Sequence, residues 1–173
     1  VRGHGESETP EGIYPMSLLA RDIAHLLEFL GVSKAILCGH SMGGYITLAF
    51  AENYPERLAG MGLITTHAGS DSSEKRAGRY EMVEAVQERG SIALAESMAS
   101  NLTEDQEIIQ KVTNIIKNTN PDGIIGALQG MAERKDRRDL LSDIKVPSLV
   151  VAGQKDAIID VDTAQLMAKA LPK

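Results

Sequence analysis

Apolar residues recur along the chain at spacings typical of helices and of buried strands. Between residues 17 and 30 they lie three or four positions apart, which predicts an amphipathic helix that ends at Gly31. The apolar run at 34–38 is short, continuous and bounded by turn residues, as in a strand buried on both faces. Two further runs predict strands, at residues 58–66 and 146–152.

The order of these elements predicts the fold class. A glycine-rich turn at 39–44 leads into a second helix that ends near Asn53, and a final helix is expected at 161–171. A strand, a helix and a second strand in succession form a right-handed parallel crossover. We therefore expect an α/β fold with a mostly parallel sheet and flanking helices. Residues 69–138 have no strand-like run and are predicted to be a helical insertion.

Composition limits the classes of function. The chain has 173 residues, 18 Lys and Arg against 24 Asp and Glu, and a net charge of −6. This acidic balance argues against a partner such as nucleic acid or an anionic membrane. Cys38 is the single cysteine and cannot form an internal disulfide, so we expect a cytoplasmic protein. No apolar run has the length of a membrane span, and no His, Cys or carboxylate cluster has metal-ligand spacing.

The turn at 39–44 contains the pattern G-x-S-x-G between a predicted strand and a predicted helix. Such a bend strains the backbone of the central Ser41, and the residues two positions to either side, Gly39 and Gly43, are expected to need the absence of a side chain. The bend lifts the Ser41 hydroxyl clear of the sheet. It also places the backbone N–H of Met42 at a helix N-terminus, where developing negative charge is stabilised.

A serine nucleophile needs a base, and the base needs an acid to orient it. Asp156 follows the strand that ends at Gly153, at the carboxyl edge where α/β sheets place their sites. We interpret Asp156 as this acid, with a simple turn aspartate as the alternative. Asp160 and Asp162 are expected to start the last helix, with Asp162 as its N-cap.

Four segments resemble the α/β-hydrolase superfamily, in its order and at its spacing. They are Arg-Gly-His-Gly-Glu-Ser at 2–7, Gly-His-Ser-Met-Gly-Gly at 39–44, Asn-Tyr-Pro-Glu-Arg at 53–57 and Pro-Ser-Leu-Val-Val-Ala-Gly-Gln-Lys-Asp at 147–156. The second segment is most similar to carboxylesterases and monoacylglycerol lipases. The resemblance implies a hydrolase core at 1–67 and 139–173 and a helical cap at 68–138, whose position and length also resemble those of enol-lactonases.

The resemblance also implies parts that this chain does not carry. In the superfamily the base histidine follows one more strand beyond the acid, and a second oxyanion donor precedes the Arg-Gly-His-Gly segment. We therefore expect the chain to be an internal piece of a longer hydrolase.

The four histidines of the chain differ in what the pattern predicts for them. His4 belongs to a loop segment, and His25 lies on the first helix as a surface residue. His40 adjoins Ser41, but a tight bend points neighbouring side chains in different directions. His67 ends the second strand at the same edge as Ser41. We interpret His67 as lining a pocket, with an incidental role or a replacement base as alternatives.

These residues together predict a serine hydrolase that cleaves a small-molecule carboxylic ester through an acyl-enzyme and needs no cofactor or metal. Hydrolysis of a lactone or a C–C bond, perhydrolysis, and a non-catalytic ligand receptor remain as alternatives. The basic run at 134–138 is interpreted as a solvated helix end. The pattern does not determine the oligomeric state.

Overall fold

The structure is a computed structural model that describes residues 1–172. Short 3-10 turns at Pro55–Arg57 and Asp139–Asp143 join some of the longer elements. In chain order those elements are α1 Met16–Phe29, β1 Ala35–His40, α2 Met42–Asn53, β2 Leu58–Ile64, α3 Ser73–Arg89, α4 Ile92–Leu102, α5 Gln106–Lys117, α6 Pro121–Ala132, β3 Ser148–Val151 and α7 Val161–Ala170.

The described residues form two compact units. The core unit comprises residues 16–70 together with those from 134 onward, and the helical unit comprises Val1–Pro15 and Asp71–Glu133. The helical character expected for 69–138 is confirmed by α3 to α6, which span residues 73–132. The boundaries differ from the expected ones because residues 1–15 group with the helices rather than with the sheet.

The core unit contains the parallel sheet that the order of elements predicts. Its strands lie in the order β1-β2-β3, all parallel, with Leu37 opposite Met61 and Leu63 opposite Val150. The parallel register means that all three strands end at one edge. The loops that follow them are therefore brought together at this edge.

Helix α2 packs against β1 and β2, and α1 packs against α2. Every residue of α2 from Gly44 to Ala51 is buried, including Leu48 and Phe50, which are 1% and 0% exposed. An α-helix that is apolar all round needs partners on all sides, which the sheet and α1 supply. The extents predicted for these two helices are confirmed to within a residue or two.

The prediction that residues 34–38 are buried on both faces is wrong for the described residues. Side chains alternate along β1, so that Leu37 and Gly39 are at least partly covered while Ile36 is 70% exposed. On β3, Leu149 is 61% exposed. A continuous apolar run shows that a strand is apolar on both faces, but it does not show what covers each of them.

The helical unit has its own core and a close backbone packing. Its core is formed by apolar side chains of α3, α4 and α6, namely Val83, Val86, Ala93, Ile124 and Leu128. The segment at 3–14 lies directly on α6, because the N–H of Tyr14 donates to the carbonyl of Gly126 at 2.9 Å. A Cβ added to Gly123 would lie 2.0 Å from the carbonyl oxygen of Gly3, and a Cβ added to Gly130 would lie 1.8 Å from the carbonyl oxygen of Tyr14.

Candidate active site

Ser41 occupies a strained bend between β1 and α2. Its φ of 50° and ψ of −115° lie outside the conformations that serine ordinarily adopts. A non-glycine residue held there costs about 1–3 kcal/mol, which the surrounding structure must offset. The Ser41 N–H donates to the carbonyl of Ile64 at 3.0 Å, and the Ser41 carbonyl accepts from the N–H of Gly44 at 2.9 Å. The bend is thus held by both the adjacent strand and the helix that follows.

The steric need expected at two glycines of the bend holds for one of them. An added Cβ on Gly39 would lie 2.1 Å from the carbonyl oxygen of Gly43, so position 39 requires glycine as predicted. An added Cβ on Gly43 would meet nothing within 4 Å, and the expected steric need at that position is wrong. Gly44 is the second constrained position, because a Cβ there would lie 2.3 Å from Thr66. At position 43 it is the backbone carbonyl that lies close to β1, and a side chain there would point into open space.

Met42 is the first residue of α2. Its N–H has no acceptor within the helix, and the aligned peptide dipoles place partial positive charge at this end. The peptide that carries this N–H also contains the Ser41 carbonyl. This N–H therefore lies at the positive end of the helix dipole, one residue after Ser41.

Asp156 follows β3 at the same edge of the sheet. One of its carboxylate oxygens, Oδ1, accepts from the N–H of Ile158 at 2.8 Å and of Ile159 at 3.0 Å, and these bonds fix the side chain. A backbone hydrogen bond joins the end of β3 to the chain after β2, from the N–H of Thr65 to the carbonyl of Val151 at 2.8 Å. Ser41 thus follows one outer strand of the three and Asp156 the other, and at the usual spacing these two strands lie about 10 Å apart.

The expected N-cap of the last helix lies two residues too late in the chain. Asp160, rather than Asp162, caps α7, since its Oδ1 accepts from the N–H of Thr163 at 2.6 Å. This backbone hydrogen bond and a second from the Thr163 hydroxyl lower the pKa of Asp160. Two aspartates two residues apart are both plausible caps in a sequence, and only the backbone geometry selects one.

His67 lies at the end of β2 in contact with Arg134. Its Nε2 is 3.1 Å from a terminal nitrogen of the Arg134 guanidinium, and its ring packs edge-on against Tyr45 at 5.3 Å between centroids. A guanidinium only donates, so Nε2 is the acceptor and the proton is on Nδ1. Nε2 would have to give up this bond in order to take a proton. The contact therefore disfavours the replacement-base alternative for His67.

The interpretation of residues 134–138 as a solvated helix end is wrong for two of its members. Arg134 and Arg137 are each only 6% exposed. Arg134 donates from Nε to the carbonyl of Gly69 at 3.1 Å and lies 4.1 Å over the ring of Tyr45. Local charge in the sequence gives no sign of this burial, because the partners are 65 or more residues away.

Arg137 donates twice to one oxygen of Glu52 on α2, at 2.9 and 3.0 Å. Burial by itself would raise the pKa of Glu52, but the hydrogen bonds and charge of Arg137 outweigh it, and the pKa is lowered. The pair fixes the segment after α6 to the C-terminal end of the helix that begins at the Ser41 bend.

The remaining histidines lie away from these contacts. His40 is exposed on the same face of β1 as Ile36, and His25 is exposed on α1. In the helical unit, Nδ1 of His4 is 3.1 Å from the carbonyl of Arg2.

Residues 1–172 contain no group of three or more His, Cys, Asp or Glu side chains placed to hold a metal ion. Within the same residues, none of the helices has the length and apolar character that crossing a membrane requires.

Comparison with known proteins agrees with this geometry. All of residues 1–173 match the family model described as serine aminopeptidase, S33. The chain belongs to this family of α/β-hydrolases. It is 29% identical over 175 residues to 3-oxoadipate enol-lactonase 2 of Acinetobacter baylyi, an alignment that covers 98% of the chain and 64% of the relative.

Solved structures of hydrolases are also similar to this chain. A thermophilic esterase from Thermogutta terrifontis, with malate bound, superposes with a TM-score of 0.95 at 40% identity, over 99% of this chain and 66% of that one. The enol-lactonase from Burkholderia xenovorans superposes with a TM-score of 0.88 at 27% identity, over 98% and 66%. The chain thus spans slightly less than two thirds of the length of these relatives.

Proposed function

We propose that the protein is a serine hydrolase that cleaves a small-molecule carboxylic ester through an acyl-enzyme intermediate. The strained backbone of Ser41 carries this proposal, because the conformation costs stability in any residue other than glycine. It places a serine hydroxyl at the N-terminus of a buried helix, at the edge where the strands end. Strain of this kind in a non-glycine residue is typical of functional positions.

In the proposed reaction the Ser41 hydroxyl oxygen attacks the ester carbonyl carbon while a histidine takes the hydroxyl proton. The carbonyl oxygen becomes an oxyanion, to which the N–H of Met42 donates. When the tetrahedral intermediate collapses, the bond to the alcohol oxygen breaks and the histidine returns the proton to that oxygen. Water then attacks the acyl-enzyme by the same sequence, which releases the carboxylic acid and restores Ser41.

Asp156 is proposed to orient this histidine and to stabilise its charged form. The side chain suits the role because two backbone N–H groups hold one carboxylate oxygen and leave the other for a ring N–H. His67, which follows β2 at this edge, is engaged with Arg134, and His40 at the end of β1 is exposed on the opposite face from Gly39. The proposal therefore assigns the base to a histidine outside residues 1–172, in the complete protein.

Lactone hydrolysis is the second candidate, supported by the similarity to two enol-lactonases. A lactone is a cyclic ester, so the same nucleophile and oxyanion donor would open it. The similarity to the Thermogutta esterase, at 40% identity, favours an open-chain ester over a lactone.

The decisive experiment uses the protein as its gene encodes it, treated with a fluorophosphonate probe and assayed with p-nitrophenyl acetate and an enol-lactone. We expect the probe to label Ser41, and Ser41→Ala to abolish labelling and lower kcat by about 10⁴-fold or more. Ser100→Ala, at an exposed position of α4, is the matched control and is expected to keep full activity. A folded wild-type protein that neither labels nor turns over any ester or lactone would instead support the ligand-receptor alternative.

Asp156→Asn tests the acid. The amide oxygen of asparagine still accepts from Ile158 and Ile159, so the turn is kept while the charge is lost. We expect a loss of roughly 10³- to 10⁴-fold in kcat. Asp160→Asn, which keeps an α7 N-cap, serves as the control and should change kcat little. Equal effects of the two substitutions would contradict the assignment of Asp156.

A further inference from the structure

Thr66 has a place in the structure that the sequence did not indicate. It follows β2 by two residues and is 1% exposed. Its hydroxyl donates to the carbonyl oxygen of Ser41 at 2.8 Å. Its methyl and hydroxyl groups also fill the space beside Gly44, where a Cβ would lie 2.3 Å from Cγ2 and 2.4 Å from Oγ1. Thr66 therefore contacts the bend at the Ser41 carbonyl and beside Gly44.

The carbonyl that Thr66 contacts belongs to the same peptide unit as the N–H of Met42. In a planar trans peptide the carbonyl and the N–H point in opposite directions, and a donor at the oxygen polarises the group and strengthens the N–H as a donor. The oxygen of Ser41 accepts two such bonds, from Thr66 and from the N–H of Gly44. Both of its lone pairs are thus occupied.

The backbone before Thr66 shows that this contact is achieved at a cost. Thr65 has a φ of 41°, a left-handed conformation in a β-branched residue, where such values are genuine outliers. This bend directs the chain from the end of β2 to the underside of the Ser41 turn. Ser41 and Thr65 are the two non-glycine residues with positive φ in residues 1–172. The Ser41 N–H donates to the carbonyl of Ile64, the residue directly before Thr65.

We propose that Thr66 is a positioning residue for the oxyanion donor. Its hydroxyl holds and polarises the Ser41–Met42 peptide, so that the Met42 N–H is aimed and strengthened before the substrate carbonyl becomes negative. This rests on the proposed serine hydrolase function. The role acts on the transition state, where the oxyanion exists, and leaves ground-state binding of the ester unaffected.

The test compares Thr66→Val, which keeps the shape and removes the hydroxyl, with Thr66→Ser, which keeps the hydroxyl. In the complete protein we expect Thr66→Val to lower kcat about tenfold with KM unchanged, less than the loss of a whole oxyanion donor. The affinity for an alkyl boronic acid, which forms a tetrahedral adduct on Ser41, should fall by a similar factor. Thr66→Ser should restore both values to within about twofold of wild type.

Thr47→Val is the matched control, because Thr47 is a second buried threonine, 3% exposed, whose hydroxyl donates to the carbonyl of Gly43 at 3.0 Å. It removes a similar bond from the same helix without touching the Ser41 carbonyl. Its effect on kcat should be less than half of that of Thr66→Val on a logarithmic scale. If Thr66→Val does not fold, Thr66→Cys provides a weak donor of similar size, and its kcat should lie below that of Thr66→Ser.

The outcomes separate the two proposals. An active wild-type protein in which Thr66→Val keeps its kcat, or in which Thr47→Val costs as much, overturns the role of Thr66 alone. An unlabelled and inactive wild-type protein overturns the hydrolase function and the role of Thr66 with it. A loss that appears in KM rather than in kcat and boronic acid affinity also contradicts the role, since it shows a general disturbance of the site.

Discussion

In two regions of the molecule one backbone segment packs directly against another, but the residues that adopt left-handed dihedral angles differ between them. In the core unit, Gly39 allows the chain at 43 to pass, but the left-handed conformation falls on Ser41. In the helical unit, α6 receives the segment at 3–14 on glycines such as Gly130. There the left-handed positions of the loop are themselves glycines, as at Gly12 with a φ of 112°.

The difference separates packing from chemistry. Where close approach is the whole purpose, as on α6, glycine satisfies both the contact and the unusual dihedral angles at little steric cost. Where a side chain must be presented, the strained position cannot be glycine, and the strain stays in the folded protein. Under the proposed function, the positive φ of Ser41 serves to present the serine hydroxyl, whereas the equally tight contacts of α6 serve packing alone.

Gly39→Ala is expected to have the largest effect on stability. Its Cβ would lie 2.1 Å from a backbone oxygen, so β1 or the start of α2 must move. We expect a loss of about 3 kcal/mol in the free energy of unfolding and of roughly 100-fold in kcat, because the nucleophile is misplaced. Gly43→Ala, with open space around the new Cβ, is the control and should keep the stability of the wild type to within about 1 kcal/mol. Denaturant unfolding and ester assays measure both, and equal destabilisation by the two variants would contradict the geometry of the bend.

Gly130→Ala is the corresponding change in the helical unit. The added methyl would lie 1.8 Å from the Tyr14 carbonyl oxygen, so the segment at 3–14 must leave α6 or shift along it. We expect about 2–3 kcal/mol of destabilisation, measured by denaturant unfolding. The rate at which a fluorophosphonate labels Ser41 in the folded protein should stay at the wild-type value. A large fall in that rate would show that the contact on α6 serves the chemistry after all.

Ser41 itself provides the third comparison. Ser41→Ala and Ser41→Gly both remove the hydroxyl, but only glycine adopts a φ of 50° without steric cost. We expect the glycine variant to be more stable than the alanine variant by about 1 kcal/mol, the reverse of the usual order of these residues. Thermal unfolding of the two inactive variants measures this difference. A more stable alanine variant would mean that the bend is not strained.

The pattern of the sequence was sufficient to predict the helices, the parallel sheet and the bend at Ser41, since these depend on local spacing. It also placed Asp156 after a strand that ends at the same edge. It did not identify Gly44 as a constrained glycine, because the constraint comes from Thr66, which lies 22 positions further along the chain. Contacts of this kind exist only once the sheet has formed.

The burial of charge was the other feature that local reasoning missed. Arg137 is surrounded by charged residues in the sequence, which is typical of a solvated segment. Its partner Glu52 is 85 residues away, and the pair forms only when the segment after α6 packs against α2. To predict this burial one would need to know which charged residues meet in the folded protein, and a single sequence does not contain that information.

Gly78→Ala is expected to have the smallest effect, and it gives the comparison its baseline. Gly78 lies inside α3, its φ is not positive and an added Cβ would meet nothing within 4 Å, so no contact or dihedral angle requires glycine there. Alanine loses less backbone entropy on folding, so the variant should gain about 0.5–1 kcal/mol in stability, measured by denaturant unfolding. The labelling rate of Ser41 should not change. A loss of stability at this open position would show that alanine destabilises the protein even without a close contact. The penalties at 39 and 130 could then not be assigned to the close approach of the backbone.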